Sequence, residues 1–222
     1  MSDDGNKGGL DWRDGVPISG RFDDPYYSLQ DGLAETRHTF IDGNAMRTRF
    51  GDGFHVAELG FGTGLTAVTV LHALRESRAE GRLRFTSFEA FPLTQPQMAE
   101  ALSAFPEIAD TAADFLAAWD GQGAQLSDFD LHVIVGDART TLPAWEGRAD
   151  AWCLDGFAPA RNPGLWETDL LAQVARHTAP GGTCATYTAA GQVRRDLAAA
   201  GFTVERVPGF GRKRHMTRGR LD

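Results

Sequence analysis

The sequence has few cysteines and no long apolar run, and each shortage excludes a class of protein. Only two of the 222 residues are cysteine, Cys153 and Cys184, and both lie in apolar stretches without metal-ligand spacing. We therefore expect buried thiols in a reducing compartment rather than a disulfide framework. No stretch approaches the roughly 18 consecutive apolar residues that span a bilayer. The six histidines are scattered, without an H-x-x-H or H-x-x-E pattern, so no metal site is expected.

Positive charge is also scarce, and it is unevenly distributed. The net charge of −8 argues against a general nucleic-acid coat protein. Residues 206–222 nevertheless carry six cations and one acid, a balance of +5, which leaves −13 on the rest of the chain. An acidic body with a basic end indicates an anionic partner at that edge, although a solvated terminal strand would have the same composition.

The remaining composition predicts one folded domain with short N-terminal additions. A chain of this length with 42% hydrophobic residues can bury roughly 70% of its unfolded surface. Residues 1–10 are polar and glycine-rich, which predicts a disordered tail and no signal peptide, and hence a cytoplasmic protein. Residues 11–52 are expected to form a cap of short elements, with a helix near 33–40 that begins at Asp31. Residues 53–222 form the main domain.

The main domain shows strands alternating with helices. Strands are expected at residues 54–59, 83–89, 131–135, 149–154, 183–188, 203–207 and 214–217, and helices at 64–78, 96–104, 165–177 and 192–200. This pattern predicts an α/β fold with a seven-stranded, mostly parallel sheet covered on both faces. Only P-G-F-G-R-K separates the last two strands, so the last strand should be antiparallel. The order of elements is similar to that of class I (Rossmann-like) methyltransferases.

A glycine-rich loop follows the first strand of this domain. The segment E-L-G-F-G-T-G-L contains Glu58, Gly60, Gly62 and Gly64 at a strand end that opens a helix, where ligands bind in open α/β sheets. Its G-x-G-x-G spacing differs from the G-x-G-x-x-G of dinucleotide-binding proteins, which disfavours a nicotinamide oxidoreductase. With the preceding acid, which suits an ammonium group, the loop resembles that of S-adenosylmethionine-binding proteins. The alternative is a turn that binds nothing.

Two further acids end the next two strands. Glu89 could accept hydrogen bonds from both ribose hydroxyls of a cofactor. Asp137, beside the backbone of Ala138, could bind the edge of an adenine. Either carboxylate could instead cap a helix. Three acids at three successive strand ends support a cofactor site.

The fourth strand ends in D-G-F-A-P-A-R-N-P, a rigid loop that begins at Asp155. In an amine methyltransferase, this carboxylate would orient the attacking nitrogen and accept its proton, directly or through water. It would not depress the pKa of the amine, because a nearby negative charge favours the ammonium form. Phe157 could stack on a base. The alternative is a turn-capping aspartate.

Five stretches resemble one family, the MnmD-type tRNA methyltransferases, which also form the N-terminal half of bifunctional MnmC. They are Y-Y-S-L-Q-D-G-L-A-E-T, A-E-L-G-F-G-T-G-L, S-F-E-A-F-P-L-T, D-A-W-C-L-D-G-F-A-P-A-R-N-P and G-F-G-R-K-R-H-M. The resemblance implies S-adenosyl-L-methionine as the cofactor and tRNA as the partner. The reaction it implies is N-methylation of 5-aminomethyl-2-thiouridine at the wobble position of the anticodon loop.

The resemblance also implies a set of tRNA contacts. Phosphates would be bound by the five cations Arg161, Arg194, Arg195, Arg212 and Lys213. Arg161 stands where the family has lysine and His215 where it has glutamate. No flavin-binding fingerprint occurs, so we expect a separate enzyme to supply the aminomethyl substrate. Two alternatives stay open: a methyltransferase acting on a protein or small-molecule amine, and a non-catalytic tRNA-binding partner.

Overall fold

A computed structural model describes residues 9–222 of the chain. The predicted disordered tail, residues 1–10, therefore lies outside the described residues except at its end. There the prediction was wrong for Leu10, which begins strand β1 (Leu10–Arg13).

The N-terminal segment is a small antiparallel sheet followed by a short helical stretch. Strand β1 pairs with β2 (Val16–Ser19), which pairs with β3 (Asp24–Pro25). Helix α1 (Gly32–Thr36) begins after Asp31, whose carboxylate accepts a hydrogen bond of 2.9 Å from the Ala34 N–H. This confirms the predicted N-cap.

The helix predicted at 33–40 changes its winding partway. It continues beyond α1 as a π-helix over Arg37–Asp42, and a 3₁₀ turn follows at Met46–Thr48. The sequence pattern did not predict the π-helix, because apolar spacing alone does not distinguish wider from ordinary winding.

The main sheet has eight strands, one more than the sequence predicted. They are β4 (His55–Leu59), β5 (Leu83–Glu89), β6 (Gly123–Gln125), β7 (Phe129–Val135), β8 (Ala149–Leu154), β9 (Thr178–Thr186), β10 (Phe202–Pro208) and β11 (His215–Leu221). The additional strand is β6, which pairs antiparallel with β7. Its three residues are too few to show an alternating pattern.

The order across the sheet is β10-β11-β9-β8-β4-β5-β7-β6. Strands β9, β8, β4, β5 and β7 are mutually parallel, and β11 runs antiparallel to both of its neighbours. This confirms the predicted mostly parallel α/β fold with an antiparallel last strand. After β4 the chain adds β5 and β7 on one side and then returns to add β8 on the other. The order therefore reverses between β4 and β8, the position at which such sheets bind ligands.

Helices cover both faces of the sheet. They are α2 (Leu65–Ser77), α3 (Gln95–Leu102), α4 (Ala109–Ala118), α5 (Ala138–Thr141), α6 (Thr168–Arg176) and α7 (Gly191–Ala199). Side chains from α1 to α4 join one apolar core, and those from α5 to α7 join the other. Because both faces are covered, every residue of β4 is buried, as expected of a central parallel strand. Helices α4 and α5 were not predicted.

Candidate active site

A large cavity opens at the carboxyl ends of the parallel strands, at the position where the strand order reverses. Its volume is about 1190 Å³. Ligand pockets commonly measure about 300–1,000 Å³, so this cavity has room for more than one small ligand. Its walls come from the loops after β4, β5, β7 and β8, from the N-terminal segment, and from the loops after β9 and β10.

The glycine-rich loop forms one wall and requires its glycines. Gly60 has φ of +90°, and a Cβ there would lie 2.6 Å from the carbonyl oxygen of Asp155. Gly62 has φ of +53°, and a Cβ there would lie 3.0 Å from the ring of Tyr26. Gly64, with φ of +78°, is the N-cap residue of α2. These backbone conformations leave the loop close to the cavity without a side chain in the way.

Glu58 lies beneath this loop and not on the cavity wall. Its side chain is fully buried, and its Oε2 accepts a hydrogen bond of 2.7 Å from the Ser87 hydroxyl. Its Oε1 has no hydrogen-bond partner among the described residues. Burial, and then the nearby charge of Asp155, raise the pKa of this carboxyl group well above its usual range. A cation bound beside it would favour its ionised form.

Glu89 is held in place at the cavity wall by two backbone donors. Its Oε2 accepts from the Gly62 N–H at 3.0 Å and its Oε1 from the Phe91 N–H at 2.7 Å. Each carboxylate oxygen retains a lone pair for a further donor. The carboxylate is therefore oriented in advance, and it ties the end of β5 to the glycine loop.

Asp137 caps the short helix α5, the alternative role considered for it. It accepts from the Arg139 N–H at 2.9 Å, and the Arg139 guanidinium lies 2.6 Å from its Oδ2. The hydrogen bond from that guanidinium lowers the pKa of Asp137. Asp137 and the buried Ala138 both line the cavity, so the cap and a cofactor contact are compatible.

Asp155 follows β8 and faces the cavity beside the glycine loop. Its backbone N–H donates to the Leu59 carbonyl oxygen at 3.1 Å, and its Oδ2 accepts from the Thr66 hydroxyl at 2.9 Å. Burial raises the pKa of Asp155 to about 7, opposed by the Thr66 hydrogen bond. This value lies near neutral pH, where a carboxyl group is best placed to accept a proton.

The loop after Asp155 packs against the N-terminal segment. The Phe157 ring lies 4.9 Å from that of Phe22 and 5.1 Å from that of Tyr26, between centroids. Asp24 accepts a hydrogen bond of 2.9 Å from the Ala158 N–H. Phe157 therefore lines the cavity in aromatic contact with Phe22 and Tyr26, and its stacking on a base stays a prediction.

The five predicted phosphate-binding cations are not brought together. Arg212 and Lys213 line the cavity, whereas Arg161 is ion-paired with Asp23 at 3.2 Å. Arg194 and Arg195 lie on α7, away from the cavity wall.

Three further residues of the cavity were missed by the sequence reasoning. Glu35 pairs with Lys213 at 2.6 Å, Tyr187 donates a hydrogen bond of 2.5 Å to the Gly156 carbonyl oxygen, and Thr66 bonds Asp155. Glu35 lies within the Y-Y-S-L-Q-D-G-L-A-E-T stretch, which was the available signal for it.

Within residues 9–222, no group of three or more histidine, cysteine or acidic side chains is arranged to hold a metal ion. No helix in the same part of the chain is long and apolar enough to cross a membrane. Cys153 and Cys184 are buried, free thiols, as predicted.

Comparison with known proteins agrees with this geometry. Residues 104–222 match a family described as S-adenosyl-L-methionine-dependent methyltransferase. The crystal structure of MnmC2 from Aquifex aeolicus superposes with a TM-score of 0.81 at 23% identity, covering 98% of this chain and 71% of that one. At that identity the superposition establishes the fold.

Longer proteins share much of the sequence. The bifunctional protein MnmC of tRNA 5-methylaminomethyl-2-thiouridine biosynthesis from a Caulobacter species is 45% identical over 92% of this chain and 37% of its own length. The protein of the same name from Chromobacterium violaceum is 42% identical over 95% of this chain and 34% of its own length. The chain thus spans about a third of the length of these curated relatives.

The matched family covers more than half of the chain, and its fold and cofactor agree with the glycine loop and the carboxylates at the ends of β5, β7 and β8. The chain belongs to the S-adenosyl-L-methionine-dependent methyltransferase family.

Proposed function

We propose that this enzyme methylates the primary amine of a 5-aminomethyl-uridine or its 2-thio form at the wobble position of tRNA, giving the 5-methylaminomethyl form. The observation that carries the proposal is the position of Asp155, which lines the cavity where the strand order reverses and whose carboxylate accepts a hydrogen bond from the Thr66 hydroxyl. The names of the MnmC relatives support tRNA as the substrate.

The residues around the cavity fit the cofactor. Glu89 has free lone pairs for hydroxyl donors, and the glycine loop leaves space where a Cβ would intrude. The unpartnered Oε1 of Glu58 lies below the same loop and would interact with an ammonium group bound above it. Asp137 and Ala138 would contact the adenine of the cofactor. When bound, S-adenosylmethionine supplies an electrophilic methyl group.

Asp155 prepares the substrate amine for methyl transfer. The substrate amine is protonated in water at neutral pH and must lose one proton to attack. Asp155 orients the nitrogen and accepts that proton at its carboxylate, while Thr66 holds the carboxylate in position. Positioning the attacking atom at about 3–3.5 Å supplies much of the rate.

The N-terminal segment and the basic C-terminal edge complete the proposal. Residues 11–52 act as a cap whose aromatic side chains Phe22 and Tyr26 meet Phe157 on the cavity wall. A base turned out of the anticodon loop would stack there. Phosphates would meet Arg212, with Arg194 and Arg195 available farther out. A separate enzyme would supply the aminomethyl group, and the reaction would take place in the cytoplasm.

Arg212→Gln is expected to weaken tRNA binding and to make it less dependent on salt. Each lost phosphate contact lowers the slope of log affinity against log salt by about 0.7–0.9. Arg218→Gln is the matched control, because Arg218 already pairs with Glu205 at 2.7 Å. Fluorescence anisotropy with labelled tRNA at several salt concentrations measures both slopes. Equal slopes for wild type and Arg212→Gln would contradict a phosphate contact at Arg212.

Nucleoside mass spectrometry tests the proposed function directly. Purified protein and S-adenosylmethionine are incubated with tRNA from cells that accumulate 5-aminomethyl-uridine, and the digested nucleosides are compared before and after. The expected result is loss of the aminomethyl nucleoside and a matching gain of the methylaminomethyl one. An unchanged profile rejects the proposal, and methyl transfer that ignores added tRNA indicates a protein or small-molecule amine as the substrate.

A further inference from the structure

Glu35 and Lys213 form an ion pair inside the cavity. The Lys213 Nζ lies 2.6 Å from Glu35 Oε1, and the Glu35 side chain is only 12% exposed. The same Nζ lies 4.2 Å from the centre of the Tyr187 ring. All three side chains line the cavity. Lys213, whose side chain is 43% exposed, therefore faces the cavity, which Arg212 of the same edge also lines.

This ion pair is connected to the reacting end of the site. The Tyr187 hydroxyl donates to the carbonyl oxygen of Gly156, the residue after Asp155. Glu35 raises the pKa of Asp155 and Lys213 lowers it, as expected of charges close to that carboxyl group. Helix α1, the loop after β9 and the loop between β10 and β11 thus converge beside Asp155.

The chemistry of the pair complements a uracil ring. A uracil presents an imide edge, an N3–H donor flanked by the carbonyl groups at C4 and C2, and C4 is bonded to the C5 atom that carries the aminomethyl group. Glu35 only accepts hydrogen bonds when ionised, and Lys213 only donates. A cytosine offers the reverse, an acceptor at N3 and a donor at the C4 amino group.

We propose that Glu35 and Lys213 bind the imide edge of the target uracil, Glu35 accepting from N3–H and Lys213 donating to the C4 carbonyl oxygen. This rests on the proposed function and deepens it, because it names the residues that select the base. A site built from these groups rejects a cytosine, whose donor and acceptor would face groups of the same kind. Lys213 then contacts the base in place of the phosphate assigned to it from the sequence.

Substrate discrimination tests this proposal. Anticodon stem-loop RNAs carrying 5-aminomethyl-uridine or 5-aminomethyl-cytidine at the wobble position are compared for kcat/KM. The wild-type enzyme should prefer the uridine RNA. Glu35→Ala should lower kcat/KM for that RNA by about 10- to 100-fold, the effect of losing a hydrogen bond to a charged group, and should reduce the preference for uridine. Glu35→Gln, which keeps an acceptor oxygen, should recover most of the preference.

The control separates base recognition from a purely structural ion pair. Glu107→Gln removes an ion pair of the same length, 2.6 Å to Arg37, outside the cavity. It should leave the preference unchanged. Lys213→Met keeps the side-chain stem over Tyr187 but removes the donor, and it provides a second test should Glu35→Ala not fold, as thermal unfolding would show.

The outcomes distinguish this proposal from the proposed function. An undiminished preference for uridine in a folded Glu35→Ala or Lys213→Met variant rejects base recognition, while the wild-type activity on the uridine RNA still supports the proposed function. No wild-type activity on the uridine RNA rejects both.

Discussion

Asp155→Asn is expected to lower kcat for methyl transfer by about 10²- to 10⁴-fold, the usual contribution of a positioned general base. The amide matches the carboxylate in shape and can still accept the Thr66 hydrogen bond, so the loop should keep its position. It cannot accept the proton of the substrate amine. Affinity for S-adenosylmethionine, measured by calorimetry, should change little. A variant with kcat within threefold of wild type would show that Asp155 is not the proton acceptor.

The pH dependence gives a second measurement of the same residue. Burial raises the pKa of Asp155 to about 7 in the folded protein, so kcat/KM should rise as pH increases through this value. The sign for stability is opposite, because above that pH the folded protein holds a buried charge that the unfolded chain exposes to water. Asp155→Asn should therefore unfold at a higher temperature than wild type at pH 8. Below pH 3.8 the two proteins should unfold at the same temperature, because Asp155 is then neutral in both the folded and the unfolded wild type.

Thr66→Val should move the rise in activity to a higher pH. The Thr66 hydroxyl lowers the pKa of Asp155, and its removal leaves burial less opposed. Thr69→Val is the matched control, because Thr69 is also buried on α2 but donates to the Leu65 carbonyl oxygen at 2.7 Å. Both variants lose one hydrogen bond of a buried threonine hydroxyl, and only Thr66→Val should shift the pH profile. Coincident profiles would contradict the proposed role of Thr66.

The sequence predicted which acidic residues lie at the carboxyl ends of the strands. Glu89 ends β5, and Asp137 and Asp155 follow β7 and β8. Parallel strands end at one edge of a sheet, so the convergence of these side chains follows from the order of elements. The sequence did not predict how deeply each of the acidic side chains is buried. Glu58 precedes the first glycine of the loop by only two residues, yet it is buried below the cavity, because helices cover both faces of β4 and every residue of that strand is buried.

Contacts between distant segments were beyond the sequence reasoning. Glu35 and Lys213 come from opposite ends of the chain, and neither shows by local pattern that it faces the other. Their meeting depends on how the N-terminal segment and the β10–β11 loop pack around the cavity. From its own loop sequence Arg161 is predicted to be an unpaired cation, whereas in the folded protein it forms an ion pair with Asp23. Net charge along the sequence therefore overstated the number of cations available to a polyanion.

Gly60→Ala is expected to separate the two loops on which the site depends. The added Cβ would lie 2.6 Å from the Asp155 carbonyl oxygen, a backbone atom that cannot move without moving β8. Its φ of +90° adds strain of about 1–3 kcal/mol for a residue with a side chain. We expect the affinity for S-adenosylmethionine to fall at least about 100-fold, because roughly 3 kcal/mol of reorganisation corresponds to a factor of that order.

Gly53→Ala isolates the backbone strain from the collision. Gly53 has φ of +74°, and among the described residues nothing lies within 4 Å of the position that its Cβ would occupy. This variant should lose about 1–2 kcal/mol of unfolding free energy, equivalent to several degrees in Tm at about 2–4 °C per kcal/mol. It should bind the cofactor normally. Calorimetric titration measures the affinity of both variants for S-adenosylmethionine, and thermal unfolding measures their stability. If Gly60→Ala binds S-adenosylmethionine as tightly as Gly53→Ala, the contact between the glycine loop and Asp155 does not shape the cofactor site.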